Sequence, residues 1–188
     1  MNRNASALCL AFALAFAPSA KAAVQLVTNG GFESQLAGWT QSGNITFSGV
    51  AAGIGRGGSR AYFAGPLGSE GFLIQSIVTE AGQLYDISFW LLNEGGTDTD
   101  FGATFGDTSL YSETNAPPYA YKFYAFNDVL ASSSATLLTF NFRDDPGFHV
   151  LDDVSVTASA VPLPAALPLL LAGFGALCLV ARRKKPSA

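Results

Sequence analysis

The sequence predicts an all-β fold, a two-sheet sandwich, on three observations. No amphipathic helical run reaches three turns. Short segments rich in β-branched and aromatic residues recur between clusters of Gly, Asn, Asp and Ser, the pattern of strands joined by tight turns. Two of these segments alternate cleanly between apolar and polar residues, so one side of each faces a core.

Strands are expected, in order, near residues 24–27, 45–48, 61–64, 72–79, 84–92, 101–105, 121–126, 136–142 and 150–157. In the fifth, Tyr85, Ile87, Phe89 and Leu91 point one way and Asp86, Ser88 and Trp90 the other. In the eighth, Leu138, Phe140 and Phe142 oppose Thr139, Asn141 and Arg143. Turns fit at Glu80-Ala81-Gly82 and at Asp144-Asp145-Pro146-Gly147. In the seventh, Tyr119, Tyr121 and Phe123 are expected on one face and Lys122 and Tyr124 on the other. So many short strands in one small domain imply two packed sheets.

The two ends of the chain differ in character from this middle. Asn2 and Arg3 open a polar start, an apolar run follows from Ala5 to Ala17, and Ala20-Lys21-Ala22 supplies the small residues that signal peptidase reads. Residues 1–22 are therefore expected to be a signal peptide cut before Ala23, the run being too short to span a bilayer. At the other end, Val161-Pro162-Leu163-Pro164-Ala165 leads into an apolar stretch and then Arg182, Arg183, Lys184 and Lys185. Residues 165–181 are read as a transmembrane helix and 182–188 as a basic cytoplasmic tail, with everything upstream outside. This three-part block resembles the sorting signal of bacterial PEP-CTERM proteins in its VPLPA variant. That resemblance implies that an exosortase cleaves near the motif, leaving the protein on the cell surface or outside the cell after transient anchoring in the inner membrane.

What remains is one domain, residues 23–157, followed by a linker and sorting motif over 158–164. A domain of this size buries roughly two-thirds of its unfolded surface. Both cysteines, Cys9 and Cys178, fall in the targeting segments, so the exported domain must be held by packing alone, with or without a metal. It carries four cations, Arg56, Arg60, Lys122 and Arg143, against all 14 acidic residues, a net charge of −10. Nucleic acid and anionic membrane surfaces are poor partners for such a domain.

Asn29-Gly30-Gly31-Phe32-Glu33, Gly38-Trp39, Gln75, the segment from Gly82 to Trp90, and Leu151-Asp152-Asp153-Val154-Ser155-Val156 follow one another in an order that resembles the galactose-binding-like jelly roll of several carbohydrate-binding modules. The resemblance implies a jelly-roll sandwich in which the opening segment pairs with the closing strand. Glu33 then lies near Asp152 and Asp153, and three carboxylates so close repel unless a cation or hydrogen-bond donors intervene. Related jelly rolls hold a metal at the corresponding edge, which implies structural calcium on Glu33 and one Asp of the pair. Strand alternation turns the other Asp away and slightly favours Asp153 as the ligand. The alternative is that these acids cap backbone N–H groups. Neither Arg56 nor Arg143 is obviously placed to help.

Enzymatic signatures fail on context. Gly53-x-Gly55-x-x-Gly58 has the letters of a dinucleotide fingerprint, but a strand-like Arg60-Ala61-Tyr62-Phe63 follows where a helix is required, so it reads as a loop. A single histidine and a cysteine-free domain exclude thiolate zinc and Cys–His chemistry. His149 is expected as a hydrogen-bonded surface or groove residue. Asp98 with Asp100, and Asp144 with Asp145, sit in turns where acids cap their own backbone rather than cleave glycosidic bonds. Aromatic residues are the more informative group. Tyr121 is the first candidate for a sugar-stacking platform and Trp90, whose parity opposes Phe89, the second. The sequence thus points to a non-catalytic exported protein whose domain recognises an exopolysaccharide or envelope glycan. The alternative is a purely structural matrix or surface component with no discrete ligand.

Overall fold

Seven of the nine expected strands are present in the computed structural model, which describes residues 23–160. The expected signal peptide, the membrane helix, the basic tail and the sorting residues Val161 to Ala165 lie outside them. Ten strands form: β1 (Thr40–Gly43), β2 (Ser48–Ala52), β3 (Arg60–Ala64), β4 (Gly71–Val78), β5 (Leu84–Asn93), β6 (Asp98–Phe105), β7 (Thr108–Thr114), β8 (Tyr119–Leu130), β9 (Ala135–Asp145) and β10 (His149–Ala158). They make two five-stranded sheets, ordered β1-β4-β9-β6-β7 and β2-β3-β10-β5-β8. Every pairing is antiparallel. Residues 23–160 form an all-β jelly roll.

Alternation in β5 and β9 builds the interior. Ile87, Phe89 and Leu91 from one sheet face Leu138, Phe140 and Phe142 from the other, all buried. Phe89 meets Phe140 edge-on at 5.3 Å, a favoured aromatic geometry. At one end Phe32 and Trp39, with ring centroids 5.5 Å apart, close the core, and Tyr62 packs 5.8 Å from Phe32. Each fully buried Phe or Leu contributes about 1.5–3 kcal/mol over leaving it in water. Without disulfides in the described domain, this packing carries the fold.

Two strands were not foreseen, and two expected ones differ. β1 (TQSG) and β7 (TSLYSET) are polar and short on pattern because both lie at the edges of the first sheet. Residues 24–27 form no full strand and pair with β10 only through a bridge between Gln25 and Thr157. The second strand starts at Ser48, where the sequence reading ended it, and runs on to Ala52.

The opening and closing segments of the described domain meet as expected. The Val154 N–H donates to the Gly30 carbonyl at 3.0 Å, and the Leu26 N–H to the Val156 carbonyl at 2.9 Å. A Cβ on Gly30 would collide with the Val154 carbonyl oxygen, which is why only glycine fits this crossing.

Of the four register shifts in the two sheets, two bear on the candidate residues. In β10 the register against β5 slips between Asp152 and Ser155, where Asp153 takes a positive φ of 51°. In β8 it slips between Lys122 and Tyr119, opposite Leu91 and Asn93 of β5. A bulge puts two residues opposite one and reverses the alternation beyond it. Tyr119 therefore does not share a face with Tyr121 and Phe123 as the sequence suggested. Its hydroxyl reaches Glu113 on β7, while that of Tyr121 reaches Ile54 on the opposite side of its sheet.

Candidate functional site

The outer face of the second sheet carries aromatic residues that the core does not use. Because Phe89 and Leu91 point inward, Trp90 points out, and its register partner on β8 is Phe123. The two rings lie 5.1 Å apart at 44°. Trp90 and Tyr121 are half-buried, whereas Phe123 is 54% exposed, the openest ring of the group. Phe63 and Leu92 extend the same face and are half-buried too.

The loop after β2 folds across one side of this face. The Tyr121 hydroxyl donates to the Ile54 carbonyl at 2.8 Å, and the Arg56 guanidinium lies 3.5 Å above the Trp90 ring. Burial, then the nearby charges of Asp152 and Asp153, push the Tyr121 phenol up, so it remains a hydrogen-bond donor. Tyr121 thus anchors the loop by its hydroxyl. Trp90 has one ring face occupied by a cation, and the open platform is Phe123, which the sequence reading placed on this face without singling out.

Beneath the loop runs a seam of three carboxylates. Asp152 is fully buried and accepts from the Arg56 N–H at 2.7 Å and the Asp153 N–H at 2.8 Å. Desolvation pushes its carboxyl up, opposed by those N–H groups. Asp153 pairs with the Arg56 guanidinium at 3.3 Å. Glu33 accepts from the Ser59 N–H at 2.6 Å, the Ser59 hydroxyl at 2.7 Å and the Arg60 N–H at 3.0 Å. A side chain on Gly58 would strike the Glu33 carboxylate.

The seam is thus assembled from the residues the sequence brought together, with two differences. The bulge turns both Asp152 and Asp153 toward the loop, where alternation had turned one away. Arg56, discounted in the sequence, is the cation that serves them, and only folding the Gly-rich loop back over the strand reveals it. Among the described residues no group of three or more His, Cys, Asp or Glu side chains is arranged to hold a metal ion. The oxygens of the seam instead meet hydrogen-bond donors and one guanidinium, a donor set that fits anions rather than a cation cage.

His149 is not the surface or groove residue expected: it is fully buried, with Asp144, at the far end of the sandwich. The acids expected in turns lie in strands instead, Asp98 and Asp100 at the start of β6 and Asp144 and Asp145 at the end of β9. Asp98 and Asp145 both pair with Arg143, and Asp145 also accepts the Gly68 N–H at 3.0 Å.

No family model and no curated protein matches the chain. Solved structures do. The carbohydrate-binding module TmCBM61, in complex with β-1,4-galactotriose, aligns with a TM-score of 0.59 at 17% identity, over 72% of this chain and 99% of its own. The CBM22-1 xylan-binding domain of Paenibacillus barcinonensis Xyn10C gives 0.52 at 17% identity, over 76% and 100%. The Stig cyclase Fisc from Fischerella sp. TAU gives 0.54 at 17%, over 74% and 100%. At such identities the likeness is one of fold, and that fold hosts both binding modules and a cyclase.

The seam makes a prediction about acid. The Ser59 hydroxyl first, then the Arg60 N–H, hold the Glu33 carboxyl below its ordinary range. Its stabilisation is therefore present above the usual Glu pKa of about 4.3 and is lost as pH falls through the lower folded value. Glu33→Ala should lower the thermal unfolding midpoint at pH 7, with the difference from the parent shrinking as the pH is taken to about 3. A difference that stays constant with pH would assign the effect to packing.

Proposed function

We propose that this chain is an exported, non-catalytic surface or matrix protein whose jelly roll binds a polysaccharide on the outer face of its second sheet. The observation that carries the reading is the pair Trp90 and Phe123, half-buried and exposed on one sheet face with Arg56 and Asp153 at its rim. A sugar ring lays its C–H patch on an aromatic face and gives its hydroxyls to neighbouring charged or amide groups. The acids of the rim hold the loop, so the face offers recognition groups rather than an acid–base pair. Two of the similar structures support this by their own ligands, one solved with β-1,4-galactotriose and one described as xylan-binding.

Affinity electrophoresis through gels containing galactan, xylan or other polysaccharides tests the reading. At least one polymer should retard the protein without being consumed. Trp90→Ala and Phe123→Ala should each weaken retardation about tenfold, the equivalent of about 1.4 kcal/mol. Tyr121→Ala should act more mildly, through the loop. If no glycan retards the chain, or neither ring substitution changes retardation, the face is not a binding site and the structural matrix role takes its place.

Export and processing form part of the same proposal. The Val161-Pro162-Leu163-Pro164-Ala165 block, between a linker and an apolar stretch with a basic end, supports cleavage there by an exosortase after signal peptidase has cut near Ala22. Mass spectrometry of the exported protein should find Ala23 at the start and no peptide containing Arg182 to Lys185. A mature form that keeps those cations would make the segment a permanent anchor.

Calcium at the seam is proposed only as the alternative to the donors around Glu33, Asp152 and Asp153, on the chemistry of three acids gathered at one loop. If the ion binds, excess chelator should lower the unfolding midpoint and added calcium restore it. Identical midpoints would leave the seam to Arg56 and the backbone N–H groups.

A further inference from the structure

The end of the sandwich between β9 and β10 holds a polar cluster that neither the aromatic face nor the seam uses. Asp144, near the end of β9, and His149, the first residue of β10, are both fully buried. His149 Nδ1 lies 3.6 Å from Asp144 Oδ2, and Nε2 lies 3.9 Å from Glu113 Oε1 on β7. Among the described residues, both carboxylate oxygens of Asp144 and both ring nitrogens of His149 are buried without a hydrogen-bond partner. Phe101 and Phe142 wall the imidazole at 5.7 and 6.2 Å. Glu113 is served, accepting from the Tyr111 hydroxyl at 2.8 Å and from the Tyr119 hydroxyl.

A neutral imidazole cannot satisfy this arrangement. It has one N–H and one lone pair, and it sits between two carboxylates. With the proton on Nε2, the Nδ1 lone pair faces Asp144; with the proton on Nδ1, the Nε2 lone pair faces Glu113. Either tautomer leaves two acceptors opposed in a buried site, which is costly. One further proton, shared between Asp144 and Nδ1, puts a donor between each pair.

We propose that Asp144, His149 and Glu113 form a proton-held clasp across the two sheets, closed by one proton between Asp144 Oδ2 and His149 Nδ1 and loosened when that proton leaves. The clasp joins β9 and β7 of the first sheet to β10 of the second. Neighbouring charge favours retention of the proton. Glu94 beyond β5, Asp100 on β6 and Asp145 on β9 are negative. Arg143 on β9 is committed to Asp98 and Asp145. Lys122 on β8 lies 3.9 Å over the Tyr119 ring, and Tyr62 on β3 has its hydroxyl taken by Gln41. Tyr124 on β8 and Tyr111 on β7 have their hydroxyls 3.5 Å apart.

Burial, then Glu94 and Asp145, push the Asp144 carboxyl up to about 7. Burial pulls the imidazole down to about 4, against the pull of Asp100. Burial raises a carboxyl and lowers an imidazole whether or not the two interact, so the shared proton rests on the geometry, two buried groups facing each other at 3.6 Å without another partner. By sign, the raised Asp144 weakens the fold at high pH and is relieved as pH falls through the folded value, while the lowered His149 costs stability as pH falls below about 6.5. The two largely cancel in overall stability, so the imidazole itself is the informative probe.

His149 is the only histidine of the chain, and nuclear magnetic resonance of its ring in the whole protein reads it without ambiguity. At pH 6 both ring nitrogens should show protonated or hydrogen-bonded nitrogen shifts, and the ring should titrate above the ordinary imidazole value of about 6.5 rather than below it. Asp144→Asn, which removes the charge and supplies an amide donor, should lower that midpoint by more than about one pH unit, a tenfold loss of proton affinity. Equal midpoints in the parent and the variant would overturn the clasp. So would a parent Nδ1 with the shift of a free lone pair at pH 6, and this second measurement decides the question alone if the variant does not fold.

Discussion

The position of the last strand, β10, constrains everything else in the domain. It lies in the middle of the second sheet, between β3 and β5, so the sheet cannot close until the C-terminal part of the domain is in place. It also captures the opening segment, through Gly30, Leu26 and the Gln25 side chain, which accepts the Val156 N–H at 2.9 Å. Leu151, Val154 and Val156 deliver its inner face to the core with 2% exposure or less. One strand therefore joins the two ends of the described domain, and such non-local pairing carries a large loop-closure cost that the apolar interior must offset.

The bulge in β10 turns this strand toward the loop after β2. An unbroken strand would aim only one of Asp152 and Asp153 at the loop after β2; the extra residue aims both. Their contributions differ. The Arg56–Asp153 pair is well exposed, 41% and 37% on the two side chains, and a pair of that kind adds about 0–1 kcal/mol. The guanidinium on Trp90 adds about 0.5–1 kcal/mol at a site this open. A buried carboxylate accepting two N–H bonds is worth more, about 1.5–3 kcal/mol for each charged hydrogen bond. Asp152 is therefore the anchor of the loop, and Arg56 is the lighter contact.

Legibility in the sequence followed burial. β5 and β9 could be read almost residue by residue because each has one face in the core and the other outside it, and the period of two is then forced. β1 and β7 could not, since an edge strand of polar residues has the composition of a loop. The bulges left no trace either, because one added residue alters register without altering composition, and Tyr119 was assigned to the wrong face for that reason. His149 was recoverable. It shares the parity of Leu151, and extending the last strand back to include it would have turned it inward. The seam acids were legible as a group; Arg56 was not, because it reaches them only through a loop whose path no local pattern dictates.

The cations show what kind of surface results. The described domain has only four against 14 acids, and all four have acid or ring neighbours. Arg56 lies between Trp90 and Asp153, Arg60 acts on Glu33, Lys122 lies over Tyr119 and Arg143 is held by Asp98 and Asp145. No surplus positive charge is left to pair with a polyanion, and the net field repels one at distances beyond a Debye length of about 8 Å only weakly but at contact strongly. A polymer that docks on the Trp90–Phe123 face must therefore gain its affinity from ring stacking and hydroxyl hydrogen bonds. Uncharged glycans supply both without paying the repulsion. On the proposed binding face, the acidity that argued against nucleic acid at the level of composition would favour uncharged over acidic carbohydrates.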